Sequence, residues 1–172
     1  MAFEFSLYKT ELKWGLILGG CVSLWIMLEF LLGFHTTRMA YGVYSGYVAS
    51  LIPLIVMWYG IKAKKIQLGT LRFLQGFTSG ILMVFIAALF VTGFFYVYNV
   101  YINPAWMENG FQFVQHQLTL QGMNESQIMV QRESLRALYT LPGQLFAAFF
   151  GVMVQGVIIS LAFAYMQRER KL

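Results

Sequence analysis

The sequence predicts an all-α membrane protein, a bundle of four transmembrane helices with an extracytoplasmic helical hairpin between the third and fourth. Composition is the first observation: 59% of the 172 residues are apolar and only 11% are charged, whereas soluble domains carry about 25% charged residues. The second is that the apolar residues form four runs of about 20 residues or more, the length that crosses a bilayer. The third is one long polar insert, residues 101–140. The whole chain, residues 1–172, is interpreted as one integral membrane domain with spans at 13–34, 42–61, 73–100 and 141–166.

The first two spans each carry one further prediction. Residues 1–12 place Glu4, Lys9 and Glu11 as on a short amphipathic helix, which predicts a lead-in helix on the membrane surface. The apolar run that follows is too long for the core of a signal peptide, so span one is expected to be retained. Pro53 lies inside span two. Because proline removes a backbone hydrogen bond, we expect a kink there.

The insert contains the start and stop signals of two helices. Asn103 followed by Pro104 predicts a helix start, and Gly122 predicts its end. Asn124 with Gln127 three residues later resembles a capping box, which opens a second helix to about Tyr139. The hairpin contains too many apolar residues for a freely solvated loop. Two interpretations stay open, a cap packed on the bundle and lipid interface, or a surface that binds a partner.

Basic residues predict the orientation. Nine of the twelve lysines and arginines fall in the N-terminal lead, the loop after span two and the C-terminal tail, and three fall on the other side. The positive-inside rule therefore predicts a multi-pass protein of the bacterial inner (cytoplasmic) membrane with both termini in the cytoplasm. Since the basic residues sit at helix ends, nucleic acid is not an expected partner. The expected partners are the lipid bilayer, together with a membrane-protein partner or a second copy of the chain.

The chain lacks the residue patterns of common enzymes. It has no Asp, so a Ser-His-Asp triad is excluded, and HExxH and CxxC motifs are absent. Cys21 is the single cysteine and cannot form an internal disulfide. His35 and His116 are poorly placed for haem, which needs histidines on facing helices. We therefore expect no catalytic residues, no bound metal, no cofactor and no enzymatic activity.

Glu29 is the one acidic residue predicted inside a span. An unpaired charge at that depth costs at least about 2.5 kcal/mol, so the carboxyl should be protonated, paired or exposed to a wet crevice. Arg38 and Arg136 are candidate partners on that side. Glu29 is therefore either a structural carboxyl or a functional one that handles protons or cations.

Small residues recur at four-residue spacing in three of the spans. Such pairs place two glycines on one helix face and let backbones approach closely. They predict helix packing inside the bundle or, alternatively, a seam between subunits. The pairs are Gly15 and Gly19 in span one, Gly42 and Gly46 in span two, and Gly76 and Gly80 in span three.

Several short motifs, in this order, give the chain a family resemblance. They are KWGLILGG at 13–20, FLQGFTSG at 73–80, INPAWMENG at 102–110, QGMNESQI at 121–128, the break at Leu141–Pro142, and GVIISL at 156–161. The sequence resembles domain of unknown function 4199, a family of uncharacterised inner-membrane proteins of Bacteroidota. The resemblance implies four helices, an outer insert between the third and fourth, and no assigned activity.

Two functional hypotheses follow. The favoured one is a non-enzymatic scaffold or accessory subunit that engages a membrane partner through the insert or a glycine face. The alternative is a small oligomeric transporter or channel whose path is lined by Glu29.

Overall fold

A computed structural model describes residues 8–169, apart from the side chain of Ser134. These residues form helices and connecting turns and contain no strand. The α-helices are α1 (Lys9–Leu31), α2 (Met39–Ala49), α3 (Leu51–Leu68), α4 (Phe73–Val97), α5 (Trp106–Leu120), α6 (Glu125–Arg136) and α7 (Leu141–Gln167). A π-helical turn, Tyr98–Ile102, extends α4, and a 3-10 turn, Ala137–Tyr139, leads into α7.

Four helical segments are long and apolar enough to cross a membrane in the part of the chain described. They are Lys9–Leu31, Met39–Leu68, Phe73–Ile102 and Leu141–Gln167. The predicted all-α class and its four membrane-spanning helices are confirmed. The chain is therefore a multi-pass integral membrane protein.

The two ends of the chain differ from the expected lead and tail. No separate surface helix precedes the first span within the described part, because Lys9 and Glu11 already belong to α1. Glu4 of the predicted lead, and Arg170 and Lys171 of the basic tail, lie outside the described residues.

Helix α4 is the centre of the bundle and packs along both α1 and α7. The buried core midway through the bundle draws on four helices: Leu18 of α1, Val56 and Met57 of α3, Val84 and Ala87 of α4, and Ile159 of α7. These side chains are at most 8% exposed. This layer separates the two ends of the bundle.

Glycines set the close approach of these helices. A Cβ built on Gly15 would lie 2.7 Å from the backbone oxygen of Met83, and one on Gly80 would lie 2.5 Å from Oγ of Ser160. A Cβ built on Gly156 of α7 would overlap the Val84 side chain in the same way. Gly19 lies against Phe90 and Gly76 against Ala164. These five glycines pack α4 against α1 and α7.

The second span is broken at Ser50, three residues before the proline that predicted a kink. The Pro53 ring excludes a normal helical contact with the carbonyl of Ala49, four residues earlier. Ser50 covers the break, because its backbone N–H donates to the Gly46 oxygen at 3.1 Å and its hydroxyl to the Tyr47 oxygen at 2.6 Å. Beyond the break, α3 packs on α1, α4 and α7, whereas α2 packs chiefly on α1 and α3. The N-terminal half of this span thus stands off the bundle.

In the insert, two predicted helix boundaries are observed and one is wrong. Gly122 follows the end of α5 with φ +77°, and the Asn124 side chain accepts from the Gln127 N–H in a complete capping box. The first helix, however, begins at Trp106 rather than after Asn103. The Asn103 side chain does not cap it, because its amide donates to the Tyr98 hydroxyl instead.

Candidate functional site

Glu29 is buried near the end of α1, with 9% of its surface exposed. Three donors surround its carboxylate. The Trp25 indole N–H donates to Oε1 at 2.8 Å, the Ser45 hydroxyl donates to the same oxygen, and His35 Nε2 lies 3.3 Å from Oε2. These groups come from α1, α2 and the turn between them. The arginines expected as partners, Arg38 and Arg136, are not among them, so that prediction is wrong.

A hydrogen-bonded chain continues from His35 into the third span. His35 Nδ1 lies 2.5 Å from the Tyr98 hydroxyl, and the Asn103 amide donates to the same hydroxyl at 3.0 Å. Because the Tyr98 oxygen accepts from Asn103, its O–H is free to donate to Nδ1. A His35 ring with its proton on Nε2 is compatible with this chain, since it donates towards Glu29 and accepts from Tyr98.

Two local features of the backbone bring the residues of this hydrogen-bonded series together. Gly33, at φ +79°, allows the tight turn after α1 that returns His35 towards Glu29. The π-helical turn Tyr98–Ile102 is followed by Asn103, whose N–H donates to the Tyr98 carbonyl at 2.8 Å. Trp106, the first residue of α5, lies over the His35 ring with the centroids 4.3 Å apart. The insert is thereby anchored to the buried acid.

A cavity of about 370 Å³ opens beside Glu29 and His35, where α2 stands off the bundle. One wall is formed by α1, the second by the small residues of α2 and the start of α3, and the third by α7 with Phe95 of α4 and Trp106 of α5. Its lining is Leu18, Val22, Trp25, Ile26, Glu29, His35, Gly42, Gly46, Ala49, Ser50, Ile52, Pro53, Phe95, Trp106, Val152, Gln155 and Gly156. Acid, histidine, aromatic rings and apolar side chains thus share one intramembrane space.

The Gly42 and Gly46 pair has a different environment from the other glycine pairs. Gly42 lies near the Phe34 backbone oxygen, but a Cβ on Gly46 would meet nothing within 4 Å. Both glycines line the cavity. At Gly46 this helix face is therefore open, whereas the other pairs are closed by neighbouring helices.

A second buried polar cluster, which the sequence reasoning missed, lies at the opposite end of the bundle. Lys64 Nζ of α3 is 2.8 Å from Glu11 Oε1 of α1, and the Ser79 hydroxyl of α4 donates to the same oxygen at 2.6 Å. Glu11 is only 2% exposed. A signal was present in the sequence: a Glu at the foot of an apolar run, and a Lys two turns after Met57 in the same span. The sequence pattern alone predicts surface charges at both positions.

The other polar residues noted in the sequence lie elsewhere. His116 lines a separate surface hollow with Arg38 and Tyr41. The Gln144 amide donates to the Leu138 carbonyl at 2.7 Å, which ties the insert to α7. Cys21 is a partly buried side chain at the edge of the apolar core. Within residues 8–169 no three His, Cys, Asp or Glu side chains cluster closely enough to hold a metal ion.

The comparisons with known proteins give one finding. A family profile described as "Protein of unknown function (DUF4199)" matches residues 13–169. No curated protein and no solved structure matches the chain. The match extends from the first span to the end of the last, so it includes every residue of the cavity.

Proposed function

The chain belongs to the DUF4199 family, and we propose that it is a non-enzymatic accessory protein that holds another membrane component in the cleft between α2 and α7. The observation that carries the proposal is the open face of α2. A helix inside a bundle normally buries its small residues against a neighbour. Gly46 instead faces an open cavity. The bundle therefore leaves room at this face for an occupant.

Gln155 supports the same interpretation. It lies in the middle of α7, lines the cavity, and is exposed. No hydrogen bond joins its amide to another of the described residues. An unsatisfied amide at membrane depth is unfavourable, so an occupant that contacts Gln155 would stabilise the protein. Ser50, at the break in the second span, lies on the opposite wall.

The alternative, a transporter or channel, has one observation in its favour, since Glu29 lines the cavity. The apolar core layer opposes it. Glu11 and Glu29 are 18 residues apart on α1, which is about 27 Å along a helix. The buried side chains of Leu18, Met57 and Val84 lie between the two polar ends of the bundle. A path through one protomer would require these packed side chains to separate.

The accessory role is tested by a substitution that fills the cleft. Gly46→Leu adds a side chain where there is open space, and Gly93→Leu makes the same change at an exposed position of α4 with nothing within 4 Å, outside the cavity. The proteins are excised from their membrane in polymer nanodiscs, and native mass spectrometry measures the mass retained per protomer. We expect wild type and Gly93→Leu to retain an added lipid, subunit or second copy that Gly46→Leu loses. Equal retention by all three would refute the proposal.

We also propose the orientation that the basic residues predict, with both termini in the cytoplasm and the insert outside the inner membrane. The nine-to-three asymmetry supports it. A cysteine at Ser126, with Cys21 replaced, should react with an impermeant maleimide in intact spheroplasts. A cysteine at Ile66, which is 73% exposed and lies at the end of α3 that leads into the loop before α4, should react only after lysis. The reverse pattern would invert the topology.

A further inference from the structure

We propose that the cavity beside Glu29 is a binding site for a lipophilic cation, an amphiphile whose ammonium group lies against Glu29 and whose apolar part lies between α2 and α7. This inference rests on the proposed function, because it names the chemical class of the occupant of the same cleft. Three features of the cavity carry it: its net charge, its aromatic rings and its apolar floor.

The charge follows from the hydrogen bonds. Three donors, from Trp25, Ser45 and His35, point at the Glu29 carboxyl. A carboxylate can accept bonds from such donors with no proton of its own. In the proposed site Glu29 is the charged member and His35 is a neutral donor that faces it through Nε2. The cluster then carries one negative charge.

Apart from His35, no basic side chain lines the cavity. The lining contains neither lysine nor arginine. A buried charge is unfavourable without a partner, and a cation that enters the cavity would supply one. An anionic group would be repelled in the same place. The sign of the ligand follows from this asymmetry.

Aromatic rings surround the same end of the cavity. Trp25, Phe95 and Trp106 all line it together with Glu29. A cation within about 6 Å of an aromatic face is attracted by the ring quadrupole, and tryptophan is the strongest such partner. Rings combined with a carboxylate are the arrangement that recognises alkylated ammonium groups. The head of the ligand is therefore assigned to this end.

The remainder of the lining suits a hydrocarbon chain. Below the acid, the walls are Leu18, Val22, Ile26, Ile52 and Val152. The cavity volume of about 370 Å³ lies at the small end of the range for ligand pockets, about 300–1,000 Å³. This space fits the head and the first part of one chain. The rest of the amphiphile would extend between α2 and α7 into the lipid.

The experiment compares a cation with its uncharged isostere. The full chain is reconstituted in nanodiscs of an uncharged galactolipid, so that no lipid amine competes. Dodecyltrimethylammonium and its carbon analogue 2,2-dimethyltetradecane are titrated separately, and native mass spectrometry counts the bound molecules. We expect one equivalent of the ammonium compound per wild-type protomer and at least about tenfold weaker binding of the isostere.

Three variants complete the test. Glu29→Gln removes the charge but keeps the shape, and should weaken binding of the cation by about tenfold or more. Gly46→Leu keeps the charge but fills the cavity, and should abolish binding. Glu125→Gln, at an exposed residue of α6 outside the cavity, should bind as wild type does. If Glu29→Gln does not fold, the preference for the cation is tested by comparing the binding of cation and isostere to wild type and to Gly46→Leu.

The outcomes separate this inference from the proposed function. Equal binding of cation and isostere, with loss of both in Gly46→Leu, would overturn the cation but leave the cleft as a binding site. Binding that Gly46→Leu does not alter would overturn both. Where the cation is preferred, added phosphatidylethanolamine distinguishes its natural source: displacement of the probe indicates a lipid headgroup, and no displacement indicates a free long-chain amine.

Discussion

Two buried glutamates on the same helix have opposite surroundings. Glu11 is packed against Lys64 of α3 and Ser79 of α4, at 2.8 and 2.6 Å. Glu29, at the other end of α1, is held by a neutral indole, a hydroxyl and an imidazole, and it lines a cavity. The first acid is paired with a lysine, whereas the contacts of the second include neither lysine nor arginine.

The difference predicts a structural role for Glu11 and agrees with the binding role proposed for Glu29. A buried acid that is paired with a lysine and surrounded by protein joins three helices and has no room for a ligand. A buried acid whose charge is held in place but not neutralised can attract a positive group. The two ends of α1 therefore predict different responses to substitution, in stability at Glu11 and in binding at Glu29.

The largest effect is expected when the lysine of the packed pair is removed. Lys64→Met leaves the Glu11 carboxylate, only 2% exposed, without its cation. Breaking a buried pair in this way costs about 3–5 kcal/mol. The free energy of unfolding in mixed SDS and maltoside micelles measures it. Lys62→Met, at an exposed residue of the same helix, is the control and should change the free energy little; a similar loss in both variants would contradict a specific role for the pair.

A smaller loss is expected where α4 meets α7. Gly80→Leu forces a side chain into the space of Ser160, whose Oγ would lie 2.5 Å from the new Cβ. Overpacking of this kind costs about 1–3 kcal/mol. The same unfolding assay should show no such loss for Gly46→Leu, since that glycine faces open space. Equal destabilisation by the two changes would mean that the α2 face is packed in the membrane.

Removing the Tyr98 hydroxyl tests the link between the insert and Glu29. Tyr98→Phe leaves His35 Nδ1 and the Asn103 amide without their common partner. Each unsatisfied buried group costs about 1–3 kcal/mol, so we expect a loss near the lower end of that range after relaxation. Limited proteolysis between residues 103 and 140 should also accelerate. Tyr96→Phe, at a residue 45% exposed, should leave both readouts unchanged.

The smallest change in stability is expected for Glu29→Gln. The amide still accepts from Trp25 and Ser45, and no lysine or arginine loses its partner, so the free energy of unfolding should fall by about 1 kcal/mol or less. Glu11→Gln should cost more, because it leaves Lys64 buried beside an uncharged group. The reverse order would show that Glu29, rather than Glu11, is the structural acid.

Helix α5 shows how far local sequence signals extend. Its end at Leu120 is followed by Gly122 as predicted, because a glycine with positive φ is a property of the backbone at one position. Its start was mispredicted, because the Asn103 side chain that would cap it is recruited by Tyr98, five residues earlier in a π-helical turn. A cap is predictable only where no tertiary partner competes for the same side chain.

The sequence by itself determined the membrane class, the four spans, the break near Pro53 and the two helices of the insert. Each of these depends on local quantities: the length of an apolar run, the missing N–H of proline, the spacing of Asn124 and Gln127. Only the tertiary structure decided which residues meet. His35 with Tyr98, and Glu11 with Lys64 and Ser79, meet although they are distant in the chain. Such pairs depend on the rotation and depth of each helix, which packing of the whole bundle sets, so no spacing along the chain encodes them.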